Sequence, residues 1–343
     1  MADPRRFPLV VGAVTAFGLL APVAIPGSSL TWLLFVGSSV HVASTAALFT
    51  FADVRRHARA NPRRYLAAPI ALAAAAAVTA ALLPTRALDA ALLGFFGWQL
   101  WHYQQQNLGL AALAARATGR PPLAATERRG IRLSAAAGIL ALTAHPQVTQ
   151  VVALRPPPNV AQGAAAVAWL LIAAAIAKQR RPATLLATAF PLPLLITDQP
   201  YAALGGMTLA HGLQYLLLVG MVLAGPANQR ANTRAPEAML LLAGVLAFAA
   251  ALAAASHLHH GPATTKAVFG LYLGAVMTHF VLDAGLWRLR DPFPRQWLEE
   301  RLPELLLADA PASDIESVPW PRPTTPTPSS SPAWPRARST ATR

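Results

Sequence analysis

The chain has 343 residues, 55% of them hydrophobic and only 12% charged, with a mean hydropathy of +0.42. A soluble protein carries about 25% charged residues, so this balance excludes an ordinary soluble domain. The formal net charge of +14 does not point to nucleic acid as a partner, because clustered loop arginines on the cytoplasmic side of a membrane account for it. With no cysteine in the chain, disulfides, thiolate metal sites, Cys nucleophiles and haem attachment through Cys-x-x-Cys-His are all excluded.

Taken in order, Arg5 and Arg6 precede an apolar run at 8–25. The run is long and has no clean small-x-small cleavage site, so a first transmembrane helix is expected rather than a signal peptide. A second run at 30–51 holds His41 and is followed by DVRRHARANPRR, with five arginines. The third run covers 66–83. The fourth, 90–115, contains the polar cluster WHYQQQNLG and leads into RATGRPPLAATERRGIR, again with five arginines. A fifth run covers 133–144 with an extension to 154, interrupted by His145 and Pro146. The sixth, 160–177, ends at KQRR.

The seventh run, 183–196, is short and contains Pro191 and Pro193, which predicts a bent or broken helix. The eighth, 201–225, carries His211, Gln214 and Tyr215, and its loop holds Arg230 and Arg234. The ninth, 238–255, ends at SHLHHG, and the tenth, 264–287, ends at Arg288 and Arg290. Ten spans with the N-terminus inside place every strong arginine cluster on one side. The expected fold is therefore all-α: a polytopic membrane helical bundle of about ten transmembrane helices over 1–290, with both termini cytoplasmic. Residues 291–309 read as an amphipathic surface helix turning Trp297, Leu298 and 305–307 towards lipid. Residues 310–343, rich in Pro, Ser and Thr, read as a disordered tail.

Each deep histidine, His41, His102, His211 and His279, falls in an even-numbered run. At 1.5 Å per residue they lie about 15–23 Å below the starts of their spans, close to one level. Four imidazoles at one depth can converge on one ion. Polar residues follow them by three or four positions: Gln105 and Gln106 after His102, Gln214 and Tyr215 after His211, and Asp283 after His279. On a helix each shares its histidine's face and can hold an imidazole N–H. Asp283 is the one acidic residue deep in an apolar run, at a cost of roughly 2.5–3.5 kcal/mol, and needs a partner. The alternatives are isolated histidines hydrogen-bonded between packed helices, or a proton path. His57, in a basic loop, reads as solvated; His145 as a cap or turn residue; His257, His259 and His260 as exposed loop histidines.

Three stretches resemble a group of histidine-rich bacterial multi-pass membrane proteins: HYQQQNLG from His102, HGLQY from His211 and HFVLDAGLWR from His279. The departures are Gln105 where that pattern has arginine, Leu108 where it has tyrosine and Gly212 where it has asparagine. In general design the chain is remotely similar to the Brp/Blh carotene dioxygenases, which are thought to use histidine-held iron. That resemblance implies an O2-dependent activity on an apolar, membrane-dissolved substrate such as a lipid, isoprenoid or carotenoid.

The expectation is thus a metal-dependent membrane oxidoreductase, a non-haem iron oxygenase of the bacterial cytoplasmic membrane. His41, His102, His211 and His279 would bind iron (copper or zinc being alternatives), and Asp283 would orient His279 or complete the ligand set. Gln106, Gln214 and Tyr215 would support the ligands or orient oxygen. A proton-coupled transporter using the same residues, or a scaffold in which they only pack helices, would fit the same pattern.

Overall fold

The computed structural model describes residues 4–24, 39–145, 157–197, 199–225, 235–258 and 261–307. The tail from 308 on, His259 and His260, and the loop containing Arg230 and Arg234 lie outside them. Among the described residues the chain is helical and contains no strand. The helices are α1 (Phe7–Ala24), α2 (Ser39–Leu48), α3 (Ala52–Ala60), α4 (Ala68–Leu82, entered through a π turn at Arg63–Ala67), α5 (Thr85–Ala117) and α6 (Ala125–Thr143). They continue with α7 (Pro158–Ala177), α8 (Pro182–Ala189), α9 (Pro193–Ile196), α10 (Pro200–Leu223), α11 (Ala235–Ser256) and α12 (Ala263–Leu286). Two short helices, α13 (Pro292–Glu299) and α14 (Pro303–Leu306), follow.

Five helical stretches are long and apolar enough to cross a membrane: Arg63–Leu82, Pro158–Ala177, Ala202–Leu223, Met239–Ser256 and Ala263–Leu286. The outer ones expose bare leucines, with Leu82 at 75%, Leu171 at 68% and Leu240 at 73% exposure. Such a surface suits lipid and not water. α10 and α12 are far more enclosed, and they carry His211 and His279. The seventh apolar run is broken into α8 and α9 by a turn at 190–192. Pro191 and Pro193 explain the break, since each lacks the N–H that a continuous helix would use.

α12 packs most extensively on α4, α1 on α10, and α6 on α7. The α4–α12 contact is made by small residues. Gly270 and Gly274 lie one turn apart on α12, and a Cβ at Gly274 would stand 2.5 Å from Ala73 Cα, one at Gly270 2.6 Å from Ala77 Cα. In a lipid environment, where apolar burial gives little drive between helices, such close backbone approach is what dispersion packing exploits.

The stretch after α12 departs from expectation. Trp297, Leu298, Leu305 and Leu306 are 1–4% exposed and belong to a core cluster with Phe7, Tyr215 and Leu286. They face the bundle and not lipid. Arg301 explains the inward turn: its guanidinium lies 5.1 Å from the Phe51 ring and 4.6 Å from that of Trp297, with Asp53 at 3.8 Å and Glu300 at 3.3 Å. Stacking and pairing together settle a charged group against aromatics. His57 is likewise not simply solvated. Its ring stacks on Phe293 at 4.0 Å; burial and then Arg64 lower its pKa, while Asp291 opposes them.

Replacing Gly274 by Val should lower unfolding stability in detergent by about 1–3 kcal/mol, the usual cost of overpacking. Gly244, on α11 with nothing within 4 Å of its would-be Cβ, should accept Val with little change. Equal melting temperatures for the two variants would contradict the close α4–α12 contact.

Candidate metal centre

Four helices deliver the site: α2 brings His41, α5 His102, α10 His211, and α12 both His279 and Asp283. Tyr215, Tyr103 and Phe280, each from a different apolar cluster of the core, close around them. The ring centroids of His41 lie 4.9 Å from His211 and 5.0 Å from His279, and those of His102 lie 5.0 Å from His211 and 5.4 Å from His279. His41, His211 and His279 are 0–2% exposed, and the His102 side chain is 10% exposed. Two overlapping triplets bring one ligand atom per residue within 4.8 Å of each other: His41, His211 and His279; and His102, His279 and Asp283. The structure thus brings together all four histidines and the aspartate singled out in the sequence.

A hydrogen-bond chain fixes which face of His279 is available. Tyr215 Oη donates to Asp283 Oδ1 at 3.0 Å. Having spent its proton there, it accepts from Thr45 Oγ1 at 3.0 Å. The Thr45 oxygen in turn accepts from His279 Nδ1 at 2.7 Å, so the ring proton sits on Nδ1. His279 Nε2 is left with its lone pair, 3.5 Å from Asp283 Oδ2 and with no hydrogen-bond partner. His102 Nε2, also without a hydrogen-bond partner, is 4.0 Å from the same oxygen. These atoms face each other across gaps too long for a hydrogen bond. A cation held at about 2.0–2.2 Å from nitrogen and oxygen ligands would fit between them with small adjustment. Both His211 ring nitrogens are buried and lack a hydrogen-bond partner as well. An uncharged set of this kind would leave several imidazole nitrogens desolvated without recompense.

Gln106 and Gln214 take different roles from those expected. Gln106 Nε2 donates to the His211 backbone carbonyl at 3.1 Å and to Gln214 Oε1 at 2.9 Å. Gln214 Nε2 donates to Thr15 Oγ1 at 2.8 Å and Asn107 Oδ1 at 3.0 Å. Asn107 Nδ2 continues to Gln104 Oε1, and Gln104 Nε2 reaches Ser134 Oγ and the Ala187 carbonyl. Their amides tie α1, α5, α6, α8 and α10 together and hold no imidazole N–H. His145, the expected turn residue, donates from Nε2 to the Leu194 carbonyl at 3.1 Å.

Thr45 is the residue the sequence reading missed, and Gly212, noted there only as a departure, has a role that reading did not give. Thr45 follows His41 by four positions, the spacing that pointed to Gln106, Tyr215 and Asp283 beside their own histidines. It orients His279 and not His41, which spacing along one helix cannot show. At Gly212 a Cβ would stand 3.0 Å from His41 Nδ1 and 3.3 Å from Cγ. The glycine is the space that the His41 ring fills, so an asparagine there would displace it.

No protein-family model, curated protein or solved structure matches this chain.

Thr45→Val keeps the side-chain shape but strands His279 Nδ1–H and removes a donor from Tyr215. Denaturant unfolding in detergent should show a loss of about 1–3 kcal/mol, with Thr45→Ser close to the parent. A valine variant as stable as the parent would break the chain described above.

Proposed function

We propose that the chain is a metal-dependent membrane oxidoreductase, a non-haem iron oxygenase acting on a membrane-dissolved substrate. The observation that carries the reading is the convergence of His279 Nε2 and Asp283 Oδ2, not hydrogen-bonded to each other, with His102 Nε2 and His211 beside them. Several neutral imidazoles and one carboxylate form a donor set that suits non-haem iron, with copper and zinc as alternatives. Iron held there would bind and activate O2, which dissolves well in a bilayer. The residues of the chain do the rest. The Thr45 and Tyr215 hydroxyls fix the His279 tautomer and anchor Asp283 through Oδ1, leaving Oδ2 for the ion. Phe280, stacked on His102 at 4.2 Å, and Tyr103, tilted against His211 at 4.4 Å, each cover one face of those imidazoles.

The same reading places the protein in a bacterial cytoplasmic membrane. It takes α1, α2, α5, α6 and the broken pair α8–α9 as further crossings beside the five apolar stretches, ten in all, with both termini cytoplasmic. What supports that count is that each of the ten apolar runs carries helix in the described residues and that the arginine clusters then share one side.

Elemental analysis of protein purified in mild detergent, without a histidine tag, tests the reading. Near-stoichiometric iron is expected, lost in His279→Ala and His211→Ala and kept in His57→Ala. Asp283→Asn should bind the ion about 10–100-fold more weakly. Equal retention in the His211 and His57 variants would sink the shared centre. A protein that takes up no metal even after anaerobic reconstitution would instead favour a proton-coupled transporter using the Asp283, Tyr215, Thr45 and His279 chain.

A further inference from the structure

A cavity of about 610 Å³ reaches the candidate centre, bordered at its inner wall by His102, Tyr215, Asp283 and Phe280. Trp98 and Trp101, 36% and 43% exposed, border it from α5. A purely hydrocarbon substrate would need nothing more. Yet four arginines border the same cavity: Arg64, Arg132, Arg288 and Arg290. Arg288 is 3.6 Å from Asp291, but among the described residues Arg64, Arg132 and Arg290 form no ion pair.

Arginines at the ends of membrane helices commonly reach lipid headgroups, and that would account for any one of these. It does not account for several unneutralised guanidiniums around a cavity whose other wall is a buried carboxylate and an imidazole. Among the polar atoms at that cavity, His102 Nε2, on a side chain nine-tenths buried, and Gln105 Nε2, which can only donate, are buried with no hydrogen-bond partner. Along the chain Arg288 follows Asp283 by five residues, two past the end of α12 at Leu286. The charged rim and the centre are therefore separated by a short length of hydrocarbon-lined wall.

We propose that this cavity binds an anionic amphiphile, a single apolar chain with a carboxylate or phosphate head. Arg64, Arg132 and Arg290 meet the head, and the chain runs past Trp101 and Phe280 to His102 and Asp283. Guanidinium forks match both head groups in charge and geometry. The proposal names the substrate class of the oxygenase reading and rests on it for the chain being the reacting part; the binding itself does not require the metal.

Palmitic acid, hexadecyl phosphate and hexadecanol share one chain length and differ in the head, so their binding to the full-length protein in a neutral detergent tests the proposal. Bound ligand is counted by native mass spectrometry and by competition against labelled palmitate. At least one of the two anions should bind at about one per chain and about 10–100-fold tighter than the alcohol, the range of a charge-assisted hydrogen bond. Which anion binds identifies the head group. Arg64→Gln combined with Arg132→Gln should erase the preference and leave hexadecanol binding unchanged; if the pair does not fold, the exposed Arg132→Gln alone should reduce it. Arg129→Gln, on α6 but away from the cavity, should keep it. Equal binding of alcohol and anions, or equal loss in the Arg129 variant, would overturn the proposal in favour of ordinary lipid contact. Metal measured on the same samples separates the two readings. Discrimination in metal-free protein leaves the amphiphile site standing without the oxygenase, and metal retained without discrimination does the reverse.

Discussion

Asp283 Oδ2 and His279 Nε2 face each other at 3.5 Å with no hydrogen bond between them. The rest of the centre depends on this opposition. In water it would cost nothing, since each atom would be hydrated. Inside an apolar bundle His279 Nε2 has lost that water, and the loss goes unrepaid until a cation or a transferred proton enters. The arrangement persists because Thr45 and Tyr215 commit the other polar atoms of both residues elsewhere. Asp283 cannot turn Oδ1 to the ring without abandoning the tyrosine, and His279 cannot flip without stranding Nδ1 against a carbon-rich wall.

Holding such a centre requires a frame that does not relax around it. Two devices supply that stiffness. Gln104, Gln106, Asn107 and Gln214 form a satisfied amide network across five helices, so that sliding one helix breaks bonds on several. Glycines then let neighbouring groups touch at backbone range, α12 on α4 through Gly274 and the His41 ring on α10 through Gly212. The first device sets register and the second sets separation, and the position of four imidazoles needs both.

Much of this was legible in the sequence, and the failures are instructive. Apolar runs bounded by arginine clusters placed the helices, because in lipid a spanning backbone must satisfy itself and length then follows from thickness. Counting residues from the start of each run placed the four histidines at one depth, and convergence followed. What spacing could not give was partnership across helices. Residues at i+3 and i+4 share a face with their histidine, but a face is shared with neighbouring helices too. Tyr215 and Asp283 therefore turned to the centre, Gln106 and Gln214 to each other, and Thr45 to the histidine of another helix. The 292–306 stretch failed for a related reason. Its amphipathic pattern specifies an apolar face without saying what covers it, and Phe51 and Arg301 turned that face inward.

α5 shows why polarity inside an apolar helix should be read residue by residue. It is 33 residues long, yet its glutamines and His102 keep it out of the five stretches apolar enough to cross by composition. Gln99, Gln104 and Gln106 are hydrogen-bonded, while Gln105 and His102 border the cavity. Trp98, Trp101, Gln105 and Gly109 recur at helical spacing and border the cavity, while Tyr103, Gln104 and Asn107 are buried in the bundle. One side of the helix borders the cavity and the other knits the frame, with His102 at the boundary between them. A helix that must do both cannot be uniformly apolar, and the hydropathy it gives up is recovered in hydrogen bonds made inside the protein. The polar cluster that weakens α5 as a lipid-facing span is what places it at the centre of the bundle.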